Sequence, residues 1–325
     1  GRAGTAVGGA DFNGDGFGDV IVGDPNGEVY GSGDLNNNDR GQVHILYGTG
    51  NVTGLPGVTG PGFDLRTLDG STDGNSDGNA DGFSINGPRD FPLTSAGYTV
   101  GAADIDGDGF PDVLVGKNSG YSGDAFGVFS GVSSNVDLHY ADGTSAVELV
   151  GDSAGRLTVV AGGAVLNGPH EDVAVGQVLS DVNGNNSGLV SLVLGAGGSP
   201  SPLHNTNLVT DNTVFEFFGG AKDRAGSALA IGDIDCDGLG DLVIGAPGNT
   251  NNDPGKVYVV FGHALQAALT ESGTDINTPN SLPNVFTSGF DLTVFDGDDA
   301  MASTDNDLDG DGFDEGFVLN GFYGM

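Results

Sequence analysis

The amino-acid sequence predicts an all-β fold built from repeated four-stranded antiparallel units, and three observations carry that prediction. Of 325 residues, 62 are Gly; apolar residues come in short β-branched runs such as Val20-Ile21-Val22 and Leu242-Val243-Ile244; and one acidic nonapeptide recurs along the chain. Runs this short, bounded by Gly, Asn, Asp or Pro, form strands, and long helices are not expected. A hydrophobic content of 37% is too high for a disordered chain.

The nonapeptide appears first as Asp11-Phe-Asn13-Gly-Asp15-Gly-Phe17-Gly-Asp19, followed by Val-Ile-Val-Gly. It returns as Asp104-Ile-Asp106-Gly-Asp108-Gly-Phe110-Pro-Asp112 and as Asp233-Ile-Asp235-Cys-Asp237-Gly-Leu239-Gly-Asp241, each again leading into an apolar run that ends at Gly. A fourth copy is Asp307-Leu-Asp309-Gly-Asp311-Gly-Phe313-Asp-Glu315. A degenerate unit, Ala164 to Asp172, keeps the final Asp172 and the following Val-Ala-Val-Gly but has Ala164, Leu166 and Gly168 at the earlier acidic positions. It is expected to be metal-free. The last position of the motif falls at 19, 112, 172, 241 and 315, and these intervals leave room for about four strands and their turns.

Each unit therefore reads as a blade, and the whole as a β-propeller with calcium-binding β-hairpin loops. First strands are expected at 5–10, 97–103, 157–162 and 227–232, each ending at the acidic loop, and second strands leave the loop. Third strands are expected at 42–47, 125–129, 189–194 and 256–261, and fourth strands at 63–68, 147–150, 214–218 and 290–295. The blades then span about 1–70, 97–152, 155–220 and 225–297, with a partial fifth at 298–325 and an insertion at 71–96. All belong to a single domain, 1–325, expected to be an excerpt of a longer chain.

Acidic side chains at positions 1, 3 and 5, a carbonyl at 7 and a carboxylate at 9 converge on one point if the chain curls, and Gly at position 6 permits the curl. The ligand sets are Asp11, Asn13, Asp15, Phe17 and Asp19; Asp104, Asp106, Asp108, Phe110 and Asp112; Asp233, Asp235, Asp237, Leu239 and Asp241; and Asp307, Asp309, Asp311, Phe313 and Glu315, the residue at position 7 serving through its backbone oxygen. An all-oxygen cage of this kind favours Ca²⁺ over Mg²⁺, and no ligand position is Cys or His, which argues against zinc or copper. An EF-hand differs: its bidentate acid comes at position 12 and helices flank the loop. The competing reading is a set of solvated Asp-Gly hairpin turns. A fifth match, Asp73, Asn75, Asp77, Asn79 and Asp81, lies in the insertion without clear flanking strands, so it is either a further calcium site or a solvated acidic loop. The expectation is thus about four Ca²⁺ sites with a fifth candidate.

The formal charge of −36, from 45 acidic and 9 basic side chains, makes a compact state self-repelling unless counter-ions are bound. Four calcium ions would offset 8 of those charges; salt adaptation is an alternative contribution to the acidity. Nucleic acid and anionic membrane are excluded as partners, because both need basic patches. No apolar stretch approaches the roughly 20 residues needed to cross a bilayer, so direct membrane insertion is not expected. Cys236 has no partner for an internal disulfide and reads as a small space-filler. No catalytic motif is present, and His44, His139, His170, His204 and His263 read as surface or strand-end residues. The chain is not expected to be an enzyme. Asn51 and Asn185 each begin a glycosylation sequon, relevant only in a glycosylating host.

Asp233 to Pro247, with its preceding strand, its acidic loop and its Leu-Val-Ile-Gly-Ala-Pro run, resembles the FG-GAP repeat of integrin α-subunits and their bacterial relatives. The likeness covers nearly the whole chain and is specific in four units; Gly97-Tyr98 and Ala225-Gly226-Ser227 stand where the Phe-Gly half of the motif belongs. The resemblance implies a propeller of usually seven four-stranded blades, calcium loops on its lower face, and ligand bound by upper-face loops. Here those loops map to 24–40, 71–96, 117–124, 177–188 and 247–255. It implies an extracellular, secreted or cell-surface adhesion or ligand-binding module whose partner is a protein or glycan, with self-association a further option. Alternatives are a structural surface-layer or fibre subunit, or an accessory domain of a carbohydrate-active or phospholipase-type enzyme.

Overall fold

The computed structural model describes residues 2–27, 40–48, 64–65, 68, 81–88, 95–118, 124–130, 136–138, 146–151, 157–168, 170–195, 214–248, 254–271, 290–293 and 316–320. These form four antiparallel sheets in chain order. The first holds β1 (Ala6–Ala10), β2 (Asp19–Asp24), β3 (Gln42–Leu46) and β4 (Gly82–Asn86). In the second, β5 (Ala96–Ala103), β6 (Asp112–Lys117) and β7 (Ala125–Val128) are followed by β8 (Val136–Asp137), which leaves to pair in parallel with β4, and by β9 (Ala146–Leu149), which completes the sheet. The third holds β10 (Thr158–Gly163), β11 (Asp172–Gln177), β12 (Leu189–Val193) and β13 (Val214–Phe218). The fourth begins with β14 (Ala228–Gly232), β15 (Asp241–Ala246) and β16 (Lys256–Val260). Its connection carries the ten-residue helix α1 (Gly262–Glu271) and β17 (Phe290–Asp291), before β18 (Gly316–Asn320) closes the sheet against β16.

Successive sheets are stacked face to face along the chain with first strands side by side. Thr99 Oγ1 on β5 donates to the Thr158 carbonyl on β10 at 2.9 Å, the Glu171 N–H donates to the Asp104 carbonyl at 2.9 Å, and the Gly240 N–H donates to the Ala164 carbonyl at 2.7 Å. Each gap between sheets is filled by its own apolar core. Ile21, Ile45 and Phe83 meet Val113, Val115 and Phe126; Leu114, Val147 and Leu149 meet Val160, Val173 and Val175; Ala174, Leu192 and Phe215 meet Leu242, Ile244 and Tyr258. Full burial of such a side chain contributes about 1.5–3 kcal/mol, so the three gaps hold the series together. Serial stacking with inner strand beside inner strand is the arrangement of propeller blades, not of a two-sheet sandwich. Among the described residues, no core joins the fourth sheet to the first.

Two expected fourth strands are corrected. In the first sheet, that place is taken by β4, which lies inside the stretch expected as an insertion, because Phe83 and Ile85 alternate inward and pair with Ile45 and Val43. Of 63–68, Leu68 is buried and its N–H donates to the Leu65 carbonyl in a turn. In the fourth sheet the closing strand is β18, drawn from the expected partial fifth blade. Phe290 and Asp291 instead extend the third sheet in parallel with β13, where the Phe290 ring meets Phe217 edge-on at 6.2 Å.

Glu216 on β13 is half-buried, and among the described residues its Oε1 has no hydrogen-bond partner. Burial pushes its carboxyl from 4.5 up to about 7. The folded state therefore binds a proton that the unfolded chain has released, so this group's contribution to stability falls as pH rises from about 4.5 to about 7. Glu216→Gln is expected to remove that slope and to raise stability at pH 8 by about 1–2 kcal/mol, discounted for solvent screening of a half-exposed group. Parallel urea melts of both proteins at pH 5 and pH 8 check this; an unchanged slope contradicts it.

Candidate metal centres

The three described acidic loops link the first and second strands of sheets one, two and four. Their side chains fold back on the loop. In the first, Asp11 Oδ1 accepts from the Asp15 N–H at 3.1 Å and Asp11 Oδ2 from the Gly16 N–H at 2.9 Å, while Asp15 Oδ1 accepts from the Phe17 N–H at 2.8 Å. The fourth-sheet loop repeats this, with Asp233 accepting from the Asp237 and Gly238 N–H groups and Asp237 from the Leu239 N–H. These bonds fix the curl that aims alternate carboxylates inward. Asp104, Asp106 and Asp108 each bring an oxygen within 4.8 Å of the others, and Asp233, Asp235 and Asp241 do the same. In the first loop Asn13 Nδ2 donates to Asp15 Oδ2 at 3.1 Å, so these two side chains also converge.

Position 9 behaves differently from the rest. Asp19, Asp112, Asp172 and Asp241 are buried, and each bridges two backbone segments. One oxygen accepts from the second residue of the loop and the other from the second residue past the third strand: Phe12 and Gly48, Ile105 and Ser130, Val165 and Gly195, Ile234 and Gly262, all at 2.6–3.0 Å. Asp172 accepts a third N–H, from Leu166. Burial raises Asp112 to about 7 and Asp172 to about 6 against the pull of those donors, and it raises Asp19 and Asp106 as well. Nearby carboxylates add to the rise at Asp19, Asp106 and Asp112. A hard cation among these oxygens would reverse that penalty, since it favours the ionised form. The donor set thus fits Ca²⁺: oxygen atoms, several carboxylates, one loop.

Of the other predicted ligands, Asp307, Asp309, Asp311, Phe313 and Glu315 lie outside the described residues, as do Asp73, Asn75, Asp77 and Asn79. Asp81 is buried and its carbonyl accepts from the Tyr47 N–H at 2.9 Å, which ties it to the start of β4. Phe17 and Phe110 have exposed side chains, compatible with a role through the backbone.

Three residues that sequence reasoning missed adjoin the loops. His263 Nδ1 lies 3.4 Å from both Asp235 Oδ2 and Asp237 Oδ2, and its ring stacks on Phe261. His170 covers the second loop at Gly107, where a Cβ would meet the imidazole at 1.7 Å, and Glu171 Oε2 accepts from the Asp104 N–H at 2.9 Å. Phe110 sits over Gly14 in the same way. His170 and Phe110 both occupy position 7, so the first and second loops are each covered by the loop that follows, a relation the spacing contained. His44 corrects the surface expectation: it is buried in β3, 2.9 Å from Ser84 Oγ, with its pKa lowered by burial. Cys236 is exposed at φ 66°, not a space-filler; it occupies the position of Gly14 and Gly107, which have φ of 69° and 74°.

At the opposite ends of the strands, buried and part-buried ion pairs fasten the connections: Arg40 to Asp137 at 2.8 Å, Lys117 to Asp124 at 2.5 Å, and Lys256 with Tyr258 onto Asp223 at 3.3 and 2.9 Å. Of the mapped upper-face loops, 177–188 is described throughout. Asn183 Nδ2 donates to the Gly219 carbonyl, the Lys222 and Arg224 N–H groups donate to the Asn185 and Asn186 carbonyls, and Val182 projects into solvent.

Four stacked antiparallel sheets with acidic hairpin loops at one end define a propeller-type repeat protein. The FG-GAP repeat family model matches residues 3–46, 96–130 and 225–260, and these units are FG-GAP repeats. Each match runs through an acidic loop into the third strand of its sheet. No curated protein matches the chain significantly. FG-GAP repeats build propellers that are typically ligand-binding modules, generally extracellular, and often bind Ca²⁺. Among the described residues no helix is long and apolar enough to cross a membrane.

Proposed function

We propose that the chain is an extracellular, calcium-stabilised propeller acting as an adhesion or ligand-binding module rather than as an enzyme. The observation that supports the reading most directly is the convergence of two carboxylate triads in loops that the FG-GAP match also covers. Asp104, Asp106, Asp108 and Asp112 would hold one ion, and Asp233, Asp235, Asp237 and Asp241 another. Asp11, Asn13, Asp15 and Asp19 form the third described set, and the loop from Asp307 to Glu315 supplies the fourth. Bound calcium would contribute two positive charges to each loop. The carboxylates would then tie first strand to second, and the loops at the far ends would be free to vary in sequence without loosening the sheets.

Recognition is assigned to that far edge. The 177–188 loop is held by backbone hydrogen bonds to residues 222–225, so little ordering entropy is lost when a protein or glycan docks on it. Calcium titration calorimetry tests the metal reading: Asp233→Ala with Asp237→Ala is expected to remove one ion per chain while the other sites keep their affinity. An unchanged stoichiometry refutes the assignment.

A further inference from the structure

The acidic loop of the fourth sheet differs from the other two described loops in what meets its outer carboxylate oxygens. In the first loop Asp15 Oδ2 accepts from Asn13 Nδ2 at 3.1 Å, and in the second Asp108 Oδ2 accepts from Ser130 Oγ at 2.7 Å. In the fourth-sheet loop Asp235 Oδ1 accepts from the Asp237 N–H and Asp237 Oδ1 from the Leu239 N–H. Both Oδ2 atoms are left to His263 Nδ1, which lies 3.4 Å from each. That is longer than an N–H···O bond. It is the separation of two ligands on one small ion, since nitrogen and oxygen atoms each about 2.0–2.1 Å from a tetrahedral zinc stand about 3.3–3.4 Å apart. Ligand atoms of Asp235, Asp237 and His263 all fall within 4.8 Å of one another.

The imidazole comes from outside the nonapeptide and is held in place. His263 is the second residue of α1, directly after Gly262, whose N–H is bonded to buried Asp241. Its ring stacks on Phe261 at 5.3 Å, and Phe261 packs against Phe317 of β18 at 5.8 Å. At the same place after the other third strands the sequence has Thr49, Gly131 and Ala196, none of which carries an imidazole. All three side chains of the cluster are about one-third exposed, which leaves an ion a way in and room for a water ligand. Calcium takes oxygen ligands, whereas an imidazole nitrogen suits zinc and its neighbours in the transition series. We propose that the fourth-sheet loop is a Zn²⁺ site formed by His263 Nδ1, Asp235 Oδ2 and Asp237 Oδ2, with water completing the shell. Zinc shares Asp235 and Asp237 with the calcium set of this loop, so the two ions compete, but the site stands on His263 and does not require the calcium reading.

Calorimetric zinc titration of the whole chain, stripped of metal in a non-coordinating buffer, tests the site. The wild type is expected to take up one ion at about micromolar strength, ahead of the weaker uptake of exposed carboxylates. Loss of a residue that only orients a metal ligand costs about 10–100-fold in affinity, so His263→Gln, which removes a ligand, should weaken this step by at least about 100-fold. The variant should keep its calcium affinity and its thermal melt in chelator, because the imidazole is no calcium ligand. Calcium at about 10 mM should weaken zinc uptake by the wild type about 10–100-fold. His263-dependent uptake that calcium leaves undisturbed supports the zinc site and counts against calcium at this loop. Equal zinc uptake by His263→Gln overturns the proposal, and so does a parallel loss of both ions, which would make the ring a prop for the loop. A second measurement needs no variant: the ¹⁵N resonance of His263 Nδ1 should move with zinc in the wild type, and a ring that zinc leaves untouched also overturns the site.

Discussion

Chelation of calcium is expected to lower the melting temperature by about 5–15 °C, the largest response to any change of solution conditions. The argument starts from the charge of −36, which opposes compaction at every pH where the carboxylates are ionised. Extracellular calcium loops bind at about 10⁻⁴ to 10⁻³ M. At about 2 mM free ion each loop then stabilises the fold by about 0.7–1.8 kcal/mol through mass action, and four loops by about 3–7 kcal/mol. A chain of this size shifts by about 2 °C per kcal/mol. Sodium chloride at matched ionic strength screens exposed charges but cannot bridge carboxylate oxygens that lie within 4.8 Å of one another, so it should recover only a minor part of the loss. Magnesium should likewise fall short, because its small octahedron is satisfied mainly by water. Differential scanning calorimetry with chelator, sodium, magnesium and calcium checks the ranking. Equal protection by sodium would leave the loops as solvated turns.

The antiparallel hairpins, the positions of the described acidic loops and the third strands were legible in the sequence because they follow from local rules. Period-2 apolar runs and Asp-Gly turns determine hairpins without reference to the rest of the fold. Closing strands were not legible, since they are chosen by distant partners. Phe63 to Leu68 has as good a strand composition as Gly82 to Asn86, but only the latter sets Phe83 and Ile85 against Ile45 and Val43. Phe290 looked like the end of its own sheet and became the edge of the previous one, where Phe217 offers it a ring to pack on. In the loops, the ligands were readable from spacing, whereas His263 was not. It follows the third strand, 26 residues beyond Asp237, and reaches the loop only because the hairpin brings both to one end of the sheet.

Asp172 is the one acid left at a ligand position in a unit otherwise stripped of ligands, and its geometry explains why it remains. Its two oxygens accept the Val165, Leu166 and Gly195 N–H groups at 2.9–3.0 Å, all within the buried edge of the third sheet. Asp172→Ala strands three buried donors. Each unsatisfied donor costs about 1–3 kcal/mol, and removing the carboxylate also relieves its own desolvation, so a net loss of about 3–5 kcal/mol is expected. That loss should be the same with calcium and with chelator, since no other acid in this unit occupies a ligand position. Asp172→Asn keeps one acceptor oxygen and should cost about half as much. Asp241→Ala removes the same clamp from the fourth sheet, through Ile234 and Gly262, together with a calcium ligand. Its cost should therefore grow when calcium is added. Denaturant melts of the three variants in both buffers separate the two roles of position 9. A calcium-dependent cost at Asp172 would mean that the degenerate loop holds an ion after all, and an equal cost for Asp241 in both buffers would mean that position 9 acts on the backbone alone.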